Sequence, residues 1–198
     1  MSSGGAIYGS KNPCPLKEDY ELFPINSYGV QKIAIEKLLY LYKYQYGLDY
    51  KVVRLSNPYG PHQKAYGIQG VITTFLHNMM RNENVVVWGD GSTVRDFIYI
   101  DDAIKAIINV ASDNSENEIF NVGSGRGVSI QEVICAIINQ VSTSSKVIYE
   151  NERTVDVKEN YLDTTRYKEL FGEIETISLE EGIRKTFEFM KLEAMGND

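Results

Sequence analysis

Tyr28 and Lys32 lie four residues apart in the segment Asn26-Ser-Tyr-Gly-Val-Gln-Lys32. Residues at that spacing share one face of a helix. A free phenol titrates near ~10 and carries protons poorly at neutral pH. A neighbouring ammonium favours the phenolate and lowers that value. The pair therefore reads as a tyrosine tuned to move protons at ordinary pH. The plainer alternative is a surface helix that carries both residues by coincidence, as short motifs often do. The surrounding elements must supply the weight.

The pair needs a helix, and the sequence provides one over residues 27–46. Ile33, Ile35, Leu38, Leu39 and Tyr42 give it an apolar side, and Gly47 stops it. Before it, residues 10–26 read as loop, interrupted by Pro13, Pro15 and Pro24. After it come a strand over 51–55, a break at Asn57-Pro-Tyr-Gly-Pro61, a helix over 70–81 and strands over 85–88 and 95–100. Asp101 or Asp102 is expected to cap a helix over 103–111. A strand over 119–122 follows, then a capping box Ser129-Ile-Gln-Glu132, a strand over 146–150 and a short helix over 164–171. Ser178-Leu-Glu-Glu181 opens a final helix with Ile183, Phe187 and Met190 inward. Strands alternating with helices make an α/β protein.

The chain has 198 residues, 43% hydrophobic and 24% charged, which suits a globular protein able to bury a core. A net charge of −7 without a Lys/Arg cluster argues against a nucleic-acid partner. No segment is long and apolar enough to suggest a membrane span, and no leader precedes the first turn. Cys14 and Cys135 are far apart and read as reduced thiols of a cytoplasmic protein, with Cys135 in the core. No metal-ligand pattern stands out. The loop Gly123-Ser-Gly-Arg-Gly127 follows a strand, but Val128 stands where a dinucleotide fingerprint needs glycine. A tight strand-to-helix turn is the reading preferred there.

Four segments in one order resemble the extended short-chain dehydrogenase/reductase family, in particular its NAD-dependent nucleotide-sugar epimerases and dehydratases. They are Ser2-Ser-Gly-Gly-Ala-Ile-Tyr-Gly9, Tyr28-Gly-Val-Gln-Lys32, Arg54-Leu-Ser-Asn-Pro-Tyr-Gly-Pro61 and Gly89-Asp-Gly-Ser-Thr-Val-Arg-Asp-Phe-Ile-Tyr-Ile-Asp-Asp102. The resemblance implies the C-terminal part of such an enzyme: an incomplete Rossmann sheet plus a substrate-binding subdomain. Residues 1–56 would be a remnant of the dinucleotide-binding domain carrying the catalytic helix. Residues 57–198 would mainly bind substrate, with some segments returning to the sheet.

The resemblance also implies roles. Tyr28 would take a proton from a sugar hydroxyl while the carbon gives a hydride to NAD. Lys32 would support Tyr28 and bond the nicotinamide ribose, and Ser56 would adjoin the cofactor. Ser3 is the expected catalytic hydroxyl, with Ser2 behind it as the alternative. Asn57, Arg95 and Arg153 would hold a diphosphate, Asp156 a ribose, and Val86 and Trp88 the base of a UDP-sugar. Dehydratases of the family place acids after the Ser/Thr; here Gly4-Gly5-Ala6 follows, which favours 4-epimerisation of the UDP-glucose/UDP-galactose type. A dehydratase, a reductase or a non-catalytic nucleotide-sugar-binding module stay open as alternatives. The resemblance further implies a homodimer through the Tyr/Lys helix. NAD binding by these residues alone is expected to be weak or absent, and the chain by itself inactive.

Overall fold

The computed structural model describes residues 2–64, 70–116, 118–152 and 157–196, with backbone only at Ser2 and Ser3. Strand β1 (Ser2–Ser3) leads through a turn and a loop to helix α1 (Ser27–Tyr46). Asn26 caps α1 by accepting from the Gly29 amide at 2.8 Å. Gly47, at φ 67°, ends the helix in the left-handed conformation and returns its N–H to the Lys43 carbonyl. Both ends therefore fall where the sequence placed them. Ile33 and Leu39 are half-buried, whereas Ile35, Leu38 and Tyr42 stand about half exposed.

Strands β2 (Val52–Leu55) and β3 (Asn57–Tyr59) come next, then α2 (Val71–Met80), β4 (Val85–Trp88), β5 (Val94–Arg95) and β6 (Phe97–Tyr99). Helix α3 (Ile100–Ala111) precedes β7 (Ile119–Val122) and β8 (Val128–Ser129). Helix α4 (Ile130–Ile138), β9 (Val147–Glu150), β10 (Glu159–Asn160), α5 (Thr165–Phe171) and α6 (Leu179–Gly196) complete the chain. The main sheet is parallel, in the order β1-β2-β7. All four residues of β2 are buried, as a central parallel strand covered on both faces requires. A parallel β3–β6 pair, a parallel β4–β9 pair and a mixed β10-β5-β8 sheet stand apart from it as separate sheets.

One core lies between α3, α5, β2 and β7, centred on Phe120, Val122 and Val110. A larger one joins α2, α4 and α6 around Leu76, Val85, Ile137 and Ile183. The capping box at α4 forms, with the Ser129 hydroxyl accepting from the Glu132 amide and the Glu132 carboxylate receiving the Ser129 amide. Three local expectations need correcting. The strand expected over 95–100 is broken at Asp96, whose buried carboxylate binds the 124–125 loop instead. Helix α3 starts straight after Tyr99 without a side-chain cap, because Asp102 is buried and accepts from the Ile177 amide at 3.0 Å. Cys135 is exposed, since Val133, Ile134, Ala136 and Ile137 take the buried positions of α4.

Candidate active site

Parallel strands β1, β2 and β7 all end on one edge, where an open α/β sheet places its ligand crevice. Ser3 lies opposite Leu55 in the register, and the Gly4 amide donates to the Leu55 carbonyl at 2.7 Å. Gly4, Ser56 and Gly123 are thus the first residues beyond three neighbouring strand ends. The Ser56 hydroxyl oxygen is buried and has no hydrogen-bond partner among the described residues. An unpaired buried hydroxyl is costly, so a ligand polar group at this point would relieve it.

The N-terminal turn of α1 meets the same edge. A Cβ on Gly29 would stand 2.4 Å from the Ala6 carbonyl oxygen, so only glycine lets the helix approach the turn this closely. That approach sets the first turn of α1, which carries Tyr28, against the turn that follows β1. Its side chain is about half exposed, and the Lys32 Nζ lies 5.2 Å from the Tyr28 ring centroid. Phenol and ammonium therefore share one face of α1, as their spacing predicts. The side chain of Ser3 lies outside the described residues; its backbone stands one strand away from Ser56.

Gly4 and Gly5 are sterically committed. A Cβ on Gly4 would meet the Leu55 carbonyl and the Leu162 side chain at 2.7 Å each. On Gly5 it would meet the Asn160 side-chain oxygen at 2.8 Å. Neither position has room for an acidic side chain. Asn160 itself donates to the Gly5 carbonyl and pairs across β10–β5 with Arg95. In this way the first and fourth sequence segments are tied together.

Asn57 and Arg95 join at Asp96. The Asn57 amide and its Nδ2 both donate to the Asp96 carbonyl at 3.0 Å. The Arg95 Nη1 donates to the Val94 and Val157 carbonyls, which holds the guanidinium near the start of β10. The Asp96 carboxylate accepts from the Ser124 amide and hydroxyl, the Gly125 amide and the Leu162 amide at 2.7–3.2 Å. Burial pushes its carboxyl up from the usual range, and these donors oppose the shift. The glycine loop at 123–127 thus folds around a carboxyl group of its own chain. Sequence reasoning missed Asp96; its place between Arg95 and Phe97 in an apolar strand was the available signal.

Val86 and Trp88 point outward on β4, where burial alternates, and Trp88 is 42% exposed. They pair in parallel with Ile148 and Glu150 of β9. Arg153 and Asp156, expected at a diphosphate and a ribose, lie outside the described residues. Among the described residues no His, Cys, Asp and Glu group is placed to hold a metal ion. No described helix is long and apolar enough to cross a membrane.

A profile of the NAD-dependent epimerase/dehydratase family matches residues 1–123. The chain is 37% identical over 190 residues to a provisionally named UDP-glucose 4-epimerase of Methanocaldococcus jannaschii, covering 96% of this chain and 61% of that protein. Its fold superposes on UDP-glucose 4-epimerase of Thermotoga maritima, solved with UDP-glucose, at a TM-score of 0.92 and 37% identity. That match covers 98% of this chain and 62% of the other. The Thermus thermophilus UDP-glucose 4-epimerase, solved with NAD, superposes at 0.85 with 28% identity, covering 96% of this chain and 62% of the other. The chain thus spans about three fifths of the relatives it matches.

Proposed function

Because the chain belongs to the NAD-dependent epimerase/dehydratase family, we propose that it forms the catalytic-helix and substrate side of a nucleotide-sugar 4-epimerase acting on a UDP-hexose. The observation that supports this reading is the Tyr28–Lys32 pair on one face of α1, a helix whose Gly29 packs against Ala6 in a turn with no room for an acid at Gly4 or Gly5.

Tyr28 takes the proton from the sugar 4-hydroxyl and later returns one to the same oxygen. The Lys32 ammonium, 5.2 Å from the ring centroid, is assigned to support the phenolate that accepts the first proton and is regenerated when the proton is returned. NAD, when bound, would supply a reversible hydride acceptor for C4 of the sugar. The buried, unpartnered Ser56 hydroxyl fits an amide of that cofactor, and Lys32 would reach its ribose. Elimination of water would need a third proton donor near the leaving hydroxyl, and the packed Gly4 and Gly5 positions leave none there. That supports epimerisation over dehydration.

Arg95 and Asn57 are assigned to the diphosphate, with Arg153; guanidinium groups suit that anion. Val86 and Trp88 are assigned to the base, and Asp156 to the ribose. Ser3 is assigned to the sugar hydroxyl. The glycine loop at 123–127 is spent on Asp96, so these 198 residues alone should hold NAD weakly or not at all. The half-exposed Ile35, Leu38 and Leu41 of α1 support a homodimer packed through that helix, which sedimentation velocity tests.

Calorimetry on the chain, with UDP and with NAD separately, tests the assignment. UDP should bind, and Arg95→Ala should weaken it about tenfold or more, as loss of a charged hydrogen bond implies. Tight NAD binding, or no UDP binding, would contradict it.

A further inference from the structure

Helix α1 carries the proposed proton carrier, yet apolar packing holds little of it. Along its twenty positions the buried residues are Gly29 and Glu36. Ile33 adds partial packing against Ile7, Tyr8, Leu16 and Leu162. Glu36 is 7% exposed, and Arg54 on β2, 3% exposed, grips it with both arms. The Nε donates to Oε1 at 3.2 Å and Nη2 to Oε2 at 2.8 Å. The remaining nitrogen, Nη1, donates to the Tyr8 hydroxyl at 2.9 Å and the Glu18 carbonyl at 3.0 Å. Tyr8 donates in turn to Asn121 Oδ1 on β7 at 2.8 Å. A run of directional bonds thus crosses from α1 through β2 to β7.

Tyr28, Lys32 and Glu36 recur every fourth residue, so the buried carboxylate continues the stripe that holds the phenol and the ammonium. We propose that Glu36 and Arg54 are positioning residues: their buried fork fixes the rotation and height of α1, and with them the placement of Tyr28 and Lys32 at the crevice. This rests on the reading of Tyr28 and Lys32 given above. Gly29 and Glu36 are seven residues apart, roughly 10 Å along the axis. Two pins at that separation fix both slide and turn, and Lys32 lies between them. Apolar contact alone is non-directional and would leave the rotation loose. A buried ion pair is a poor source of stability compared with well-packed apolar residues, but a one-sided break of it is expensive. Its value here is geometric, because an ångström of misplacement at a reacting group can cost about 10²-fold in rate.

The chain itself supplies the test. Two variants are compared with wild type: Glu36→Gln, and the double variant Glu36→Met with Arg54→Met. Thermal unfolding, UDP titration and NMR are recorded for each, with the Tyr28 ring signals assigned through Tyr28→Phe. The double variant should keep or raise the Tm. Its Tyr28 ring signals should nevertheless shift, and the cross-peaks between Gly29 and Ala6 should weaken. UDP affinity should stay within about twofold of wild type, because the nucleotide contacts lie elsewhere. Glu36→Gln, which strands the Arg54 charge, should lower the Tm and shift the same signals. Unchanged Tyr28 and Gly29 signals in the double variant would overturn the proposal. Absence of UDP binding in wild type would instead overturn the functional reading, while the NMR comparison still decides the positioning.

Discussion

Helices α1 and α4 are held in opposite ways. The nine-residue α4 buries Val133, Ile134, Ala136 and Ile137 in the larger core. The twenty-residue α1 buries a glycine and a glutamate, one against a carbonyl and one in a guanidinium fork. Apolar packing of the first kind tolerates volume-conserving exchanges. A close approach and an ion pair do not, since each works at one distance and one angle. The difference teaches that the helix bearing the proposed chemistry is located by directional contacts, whereas α4 is located by area.

Substitutions sharpen or break that contrast. Ile137→Ala, at a fully buried site of α4, should cost about 2–5 kcal/mol of stability by urea titration. Its Tyr28 signals should stay in place. Gly29→Ala should cost about 1–3 kcal/mol, because the added methyl meets a backbone oxygen that cannot rotate away. Here the Tyr28 signals should move, and their failure to do so would place the two helices in one class.

Smaller effects probe the edges. Trp88→Ala removes a ring that already faces solvent, so the Tm should hold. UDP affinity should fall by about 0.5–1.5 kcal/mol, the usual worth of an aromatic stacking contact. Equal loss of Tm and affinity would argue that Trp88 is structural. Asp113, bonded to Lys51 and Ser115, has its carboxyl held down at about 2, below the ordinary 3.8. Its native form binds fewer protons than the unfolded one, so its contribution is present above that ordinary value and lost as pH falls toward 2. Asp113→Asn should therefore narrow the gap in Tm to wild type between pH 4 and pH 2, by an amount typical of a small surface term.

Much of this was legible in the sequence where local chemistry decides the outcome. The C-terminal limit of α1 followed from Gly47, and β4 from its apolar run and the Gly89 turn, because stops and turns act over a few residues. The Tyr28–Lys32 face followed from helical spacing alone. What escaped depends on distant partners. Asp96 looks like an interior strand residue until the 124–125 amides and Leu162 arrive around it. Arg54 and Glu36 are 18 residues apart, and neither spacing nor composition says that they meet. Cys135 sits in an apolar run whose buried positions are its neighbours, a choice made by α2 and α6 packing on α4.

The most direct measurement joins this chain to the part of the Thermotoga maritima relative that it does not match and follows interconversion of UDP-glucose and UDP-galactose by NMR, for wild type and Tyr28→Phe. A proton carrier at Tyr28 predicts interconversion in wild type and a loss of about 10²–10⁴-fold in the variant, with UDP affinity essentially kept. Equal rates in the two proteins would contradict the account.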